Sequence, residues 1–286
     1  MAKQLQLRSK EDIRLAIRRR SAEIVDNMTD KEFFTCPQFT RYATQLADFI
    51  LRRHRLYELE IKYIEKRNAP VAYTDGRKIF WNVGNPIARG PKLLERRFKV
   101  NMGILFHEIA HKLFMDFKAH NTIMDQLLNG ALYGNFDTNG NPDLDKALVE
   151  LKAVISSPYA KVITQIYSDL SNRIGDGHDE AAMKHSYSGF IRECIEVAGE
   201  VQMEQTTPLR ERIDSRADSY SILSGLVLQY AKFGYYKTGE ENEDTEQYIA
   251  TMRNIEPIMD MALEESSSPF SDRSETYDNH RCHCAV

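Results

Sequence analysis

Long apolar runs are missing from this 286-residue chain. No stretch approaches the roughly 18 consecutive apolar residues that a membrane-crossing helix requires, so no membrane partner is expected. The opening segment, MAKQLQLRSKEDIRLAIRRR, is charged but has no apolar stretch ahead of a small-residue cleavage site, which excludes a secretory leader as its reading. Cysteine is scarce: Cys36, Cys194, Cys282 and Cys284 are too few and too scattered for a disulfide ladder or a paired CxxC framework. Their scarcity points to a reducing, cytoplasmic setting. Internal repeats are also absent. What is present, 42% hydrophobic and 28% charged residues, is the ordinary composition of a globular chain with ample material for a core.

The net charge of −4 hides a split. Residues 1–100 carry 22 Lys and Arg against 12 Asp and Glu, and the remainder carries 16 against 30. A basic half can face nucleic acid, but no nucleic-acid-binding motif and no interleaving of aromatic with basic residues accompanies it. Solvated helix faces and two mutually attracting halves account for the split, and no nucleic-acid partner is expected.

Periodicity predicts helices at the start. Ser9 and Asp12 resemble a capping box ahead of Ile13, Leu15, Ile17, Ile24 and Val25, and Pro37 suits a first helical position. A long helical pattern is then read through Tyr42, Leu46, Phe49, Ile50, Leu56, Leu59, Ile61 and Ile64 to about Arg67. Asn68-Ala69-Pro70 breaks it. Val71–Thr74, Asp75-Gly76 and Arg77–Val83 read as a hairpin on a type I′ turn. After a Gly/Pro loop, a helix is expected through about Lys118, followed by helical segments at 120–129, 143–156, 158–174, 176–206, 208–236 and 244–265. Gly130–Pro142 reads as a loop, and the polar residues 266–286 as a disordered tail. The resulting expectation is an α+β, helix-dominated fold with one small sheet before the chemistry-bearing helix. It divides into an N-terminal helical region (1–68), a main domain (69–265) and the tail.

His107-Glu108-Ile109-Ala110-His111 is an HExxH pattern. Positions i and i+4 of a helix stand one above the other, so both imidazoles can grip one ion. Glu108 lies about 100° round the helix from His107 and about 60° from His111, beside an open coordination position rather than in it. Two imidazoles, an oxygen donor and a water suit Zn2+, and a carboxylate at this place suits a general base for hydrolysis. Met102, Leu105, Phe106, Ile109, Leu113, Phe114 and Phe117 recur at three and four, which gives the helix a packed face. A core helix whose two histidines bond to neighbours is the bland alternative.

A third ligand is required. HEIAHKLFMDF lacks the Gly and His of the metzincin extension, and His120 follows without the intervening Gly. Asn172-Arg173-Ile174-Gly175-Asp176-Gly177-His178-Asp179-Glu180 offers better donors. Asp176 and Glu180 share a helix face, so one could bind the ion while the other orients a ligand imidazole. Asp176 is preferred as ligand, with His178 and Glu180 as alternatives, and an acidic turn at a helix start is the bland reading.

Phe106–Phe117 together with Asn172–Glu180 resembles a group of zincin-type metallopeptidase domains of bacteria and phages, which often precede a von Willebrand factor A-like domain. Thr74-Asp75-Gly76, Ile79 and Asn82 are similar to that group's edge-strand hairpin. The resemblance covers roughly residues 70–185 and implies a zincin-like fold, Zn2+, peptide-bond hydrolysis on a peptide or protein substrate, and a bacterial or phage-infected cell. A von Willebrand-like or ATPase partner is a further implication, and so is a non-catalytic zincin scaffold as the alternative function. Two departures stand out: Ala110 replaces the usual Gly before the second His, and Gly175 replaces the Glu of a Glu-Asp pair. No von Willebrand-like αβ repeat appears before Val286, so the peptidase module alone, or a truncated product, is expected.

Weaker signals complete the reading. Asp116 could support the site or simply be an exposed helical acid. Arg173, His185 and Tyr187 lie close enough in sequence to Asp176 to be considered as oxyanion stabilisers. Trp81 could touch substrate, although an aromatic on a half-buried strand usually serves the core. His280, Cys282, His283 and Cys284 form a metal-capable cluster that reads better as a loose terminus.

Overall fold

A computed structural model describes residues 28–56, 59–66, 69–128, 140–155 and 160–264. The Ser9 helix start, most of the Gly130–Pro142 loop and the C-terminal tail with its Cys/His cluster lie outside the described residues. Helix α1 (Asp30–Thr35) opens on a capping box in which Thr29 accepts from Glu32 N, while the Glu32 side chain reaches back to the Thr29 backbone. Helix α2 (Pro37–Arg53) follows, with Pro37 in its first turn.

The helical pattern read from Pro37 to about Arg67 stops short. After Arg53 the chain turns through His54 and Arg55, whose φ of 57° lies in the left-handed region, and residues Glu60–Ile64 form strand β1. Alternation of apolar and polar residues from Leu59 to Tyr63 is the signal that the helical reading overlooked. Strands β2 (Ala72–Thr74) and β3 (Lys78–Asn82) form the expected hairpin. Its turn is not type I′: that turn needs positive φ at both central residues, and here only Gly76 has it, at 80°. Asp75 instead accepts on Oδ1 from the backbone N–H groups of Arg77 at 2.8 Å and Lys78 at 2.7 Å. The sheet order is β1-β3-β2, with β1 parallel to β3 (Tyr63 opposite Trp81) and β2 antiparallel to it (Tyr73 opposite Phe80). Strand β2 is therefore an edge.

Short α3 (Pro86–Arg89) leads into α4 (Leu94–Phe114), the central helix. Val100, Met102, Leu105, Phe106, Ile109 and Ala110 of α4 are all fully enclosed, because helices and sheet cover it on several sides. It packs most extensively on α8 (Phe190–Gln205), and Gly103 makes that approach possible: a Cβ there would lie 2.2 Å from the Cys194 carbonyl oxygen. Phe34, Phe39, Ile50, Ile79 and Trp81 join the same core, which draws on residues from both sides of position 68.

The remaining helices are α5 (Phe117–Leu128), α6 (Pro142–Ile155), α7 (Ala160–Ser186), α9 (Leu209–Asp214), α10 (Ser219–Phe233) and α11 (Glu243–Glu264). Several boundaries differ from expectation. The central helix expected to reach about Lys118 ends at Phe114, and the expected helix 176–206 is broken between Ser186 and Phe190. Two further differences bear on the site and its neighbours. Helix α7 runs without a break through Gly175 and ends near Gly189, whose φ is 68°, so the predicted stop at residue 174 and restart at 176 is wrong. The predicted helix 208–236 is two helices, separated where Arg216 adopts a φ of 57°. Packing explains the first of these two: α7 is enclosed by α4, α5 and α10, and tertiary contact outweighs the roughly 1 kcal/mol that a mid-helix glycine costs. A second core of Ile174, Leu209, Ile222, Leu226 and Met252 ties α7, α9, α10 and α11 together. The described residues are thus helix-dominated with one small three-stranded sheet.

Candidate metal centre

Helices α4 and α7 face each other with matching periods. His107, Glu108 and His111 come from α4, and Asp176, Asp179 and Glu180 from α7. Spacings of three and four on both helices turn each set onto one side, so the contact brings six functional groups together.

The Nε2 atoms of His107 and His111 are 3.1 Å apart. Asp176 Oδ1 lies 3.5 Å from the first and 3.3 Å from the second. Three donors bonded to one tetrahedral ion at about 2.1 Å would be separated by about 3.4 Å, close to all three distances. Asp176 Oδ1 is also buried with no hydrogen-bond partner. A buried anionic oxygen without a donor is costly, and a shared cation would satisfy it. His107, His111 and Asp176 are the only group of three or more His, Cys, Asp or Glu found among the described residues with such convergence. The residues present fit a small divalent ion.

Behind the imidazoles stand two carboxylates. Glu180 Oε1 is 2.8 Å from His107 Nδ1, and Asp179 Oδ2 is 2.7 Å from His111 Nδ1. Each carboxylate accepts from an Nδ1–H group, so the Nε2 atoms of both rings are turned toward Asp176. Each is anchored in turn: Glu180 by Lys232 Nζ at 2.7 Å, and Asp179 by His178 Nδ1 at 2.8 Å. Burial opposes ionisation of Glu180, but the Lys232 charge and the His107 hydrogen bond overcome it and hold the carboxyl at about 2. Burial likewise opposes ionisation of Asp179, and its bonds to His111 and His178 hold it below the ordinary value. For His111, burial disfavours the imidazolium, yet Asp176 and Asp179 more than reverse this and hold its pKa well above the usual 6.5.

Glu108 is 5% exposed, and its Oε2 has no hydrogen-bond partner. Burial raises its carboxyl above the ordinary value; the two imidazoles oppose that rise and Asp176 adds to it. Five of the six groups are not sealed in the core, whereas Asp179 is buried behind His111. His107, Glu108, His111, Asp176 and Glu180 line a cavity of about 420 Å³, whose walls include Val71–Thr74 at the β2 edge and Ile195, Ala198, Gly199 and Gln202 of α8. The last four repeat at i, i+3, i+4 and i+7, one face of that helix.

Of the sequence candidates, His178 does not join the cluster and instead supports Asp179. Glu180 contacts the back of His107. His120 lines the cavity without joining the donor group. Asp116 caps α5, accepting from the backbone N–H groups of Lys118 and Ala119. Arg173 pairs with Asp169, Tyr187 is buried against His54, His185 is exposed, and none of the three lines the cavity. Trp81 is fully buried, packed against Phe39 and Tyr63. Asp179 and Lys232 contact the cluster through His111 and Glu180, and neither was singled out from the sequence. Asp179 was detectable, since it lies three residues after Asp176 and therefore on the same helix face. Lys232 carried no signal, because only the docking of α10 brings it here. Ala110 keeps its methyl fully buried, so the departure from Gly is accommodated. The structure offers no packing reason for Gly175: no atom lies within 4 Å of where its Cβ would be. Compared with known proteins, the chain matches no protein-family model, no curated protein and no solved structure.

Proposed function

We propose that this protein is a zinc-dependent peptidase of zincin type, in which His107, His111 and Asp176 hold the ion and Glu108 is the general base. The observation that carries the reading is the convergence of Nε2, Nε2 and Oδ1 at separations of 3.1–3.5 Å beside an unpartnered Glu108 oxygen in an open cavity. Zinc bound by three protein ligands acidifies a water in its fourth position to a pKa of about 7 and polarises a carbonyl. Glu108 supplies what the ion cannot: it takes a proton from the attacking water and delivers it to the leaving nitrogen. Its buried setting suits that exchange, because a raised carboxyl pKa brings the base closer to neutral pH.

The substrate side follows from the edge strand. Among the described residues β2 is paired only with β3, and its residues form one wall of the cavity. An extended peptide can add to that edge through main-chain hydrogen bonds and lie across the donor cluster. The proposal includes a cytoplasmic setting in a bacterial or phage-infected cell, with a von Willebrand-like or ATPase protein as a partner.

Elemental analysis of purified protein, with casein or a peptide library as substrate, tests the reading. The wild type should carry about one zinc, and His107→Ala and His111→Ala should carry none. Glu108→Gln should retain zinc and lose about 10²–10⁴-fold in hydrolysis, the usual range for a general base. Full zinc in both histidine variants would refute the metal centre. Zinc binding without hydrolysis by any form would convert the reading to a non-catalytic scaffold.

A further inference from the structure

We propose that Lys232 is a positioning residue for the metal centre: its buried ammonium, delivered by α10, holds Glu180 against His107 and thereby fixes that ring with Nε2 turned toward Asp176. The inference rests on the metal-binding reading above. Lys232 and Glu180 are only 7% and 8% exposed and meet at 2.7 Å. The oxygen that receives Lys232 Nζ, Oε1, also contacts His107 Nδ1 at 2.8 Å. Any shift of the ammonium therefore acts on the same atom that orients the imidazole. Lys232 is itself fixed from a third helix, donating to Gln202 Oε1 of α8 at 2.8 Å.

The backbone shows how this contact is built. Gly177 lies one residue after Asp176, and a Cβ there would sit 2.3 Å from the carbonyl oxygen of Ala231. Only a glycine lets α10 approach α7 this closely, and the residue after Ala231 is Lys232. The two carboxylates behind the imidazoles are consequently not equivalent. Asp179 receives its outer support from His178, its neighbour on the same helix. Glu180 depends on a cation brought from elsewhere in the fold. A buried carboxylate deprived of its cation is strongly disfavoured, so Glu180 would turn away from His107 if Lys232 were removed, and the ring would lose its restraint. His107 orientation is in this way coupled to the docking of α10.

The test is a double-mutant cycle on zinc affinity, measured on the folded full chain by competition with a chromophoric chelator. Lys232→Met and Glu180→Ala should each weaken zinc about 10–100-fold, as loss of an outer support typically does. In the Glu180→Ala background Lys232→Met should add nothing, because its effect passes through Glu180. A residue that merely fills the core would lower thermal stability while leaving the affinity of the folded chain unchanged. Wild-type affinity in Lys232→Met, or losses that multiply in the double variant, would overturn the proposal while leaving the metal centre intact. Retention of zinc by His107→Ala would instead show that the metal reading has failed. If Lys232→Met does not fold, Lys232→Gln, which keeps a donor without the charge, enters the same cycle and the same outcomes decide.

Discussion

Asp176→Ala isolates the third ligand from the integrity of the fold. The position lies inside α7, where alanine has the best helix propensity, and Asp176 Oδ1 receives no hydrogen bond that the substitution would break. The chain should fold normally. What it loses is the one oxygen placed 3.3 and 3.5 Å from the two Nε2 atoms. Loss of an outer support costs about 10–100-fold in metal affinity, so loss of a direct ligand should cost at least about 100-fold. At a zinc concentration 100 times the wild-type Kd, binding stabilises the wild type by about 2.7 kcal/mol, and a 100-fold weaker site gains only about 0.4 kcal/mol. The difference of about 2.3 kcal/mol corresponds to roughly 5–9 °C of Tm, at about 2–4 °C per kcal/mol for chains of this size class. Thermal unfolding by calorimetry, with and without zinc, reads it directly. A variant that keeps the full zinc-induced shift would refute Asp176 as a ligand, and a zinc-free transition that stays cooperative would show that the fold is intact.

Other outcomes follow from the same geometry. Zinc must displace the proton that Asp176 and Asp179 favour on His111, so affinity should rise with pH until the raised value is passed. Titration calorimetry in buffers of different ionisation heat should show proton release on binding; its absence at pH 6.5, below the raised value, would contradict this. In the zinc-free chain the sign reverses: a raised histidine pKa adds stability that is complete below about 6.5 and lost as pH climbs through the folded-state value. Gly177→Ala should cost about 1–3 kcal/mol in denaturant unfolding, since the new methyl meets the Ala231 backbone rather than a flexible side-chain end. Gly175→Glu meets open space and should raise stability by about 0.5–1 kcal/mol, the cost of a mid-helix glycine, while leaving zinc affinity within about twofold of wild type, which melting and chelator competition would check.

Local order carried much of what could be read in advance. HExxH on an amphipathic helix requires only the 3.6-residue period to bring His107 and His111 onto one side, and the Asp176–Glu180 spacing likewise defines one face wherever that helix lies. The Asp75-Gly76 punctuation marked the hairpin, although the turn type depended on which residue took positive φ. The helix dominance and the single small sheet were legible for the same reason, because these are properties of neighbouring residues.

Contacts between distant segments were not legible. β1 carries a short alternation, but it is the parallel partner offered by β3, from a segment fourteen or more residues away, that makes it a strand. The stretch around Gly175 reads as a helix break, yet α7 continues because three helices enclose it. The choice among Asp176, His178 and Glu180 rested on the angular setting of α7 against α4, which packing determines and spacing does not. Lys232 is the extreme case. Fifty-two residues separate it from Glu180, and only the close approach of α10 at Gly177 gives its charge a place beside the site. Periodicity orders side chains within one element, whereas the docking of elements sets the relation between them, and the electrostatics of this centre arise from that docking.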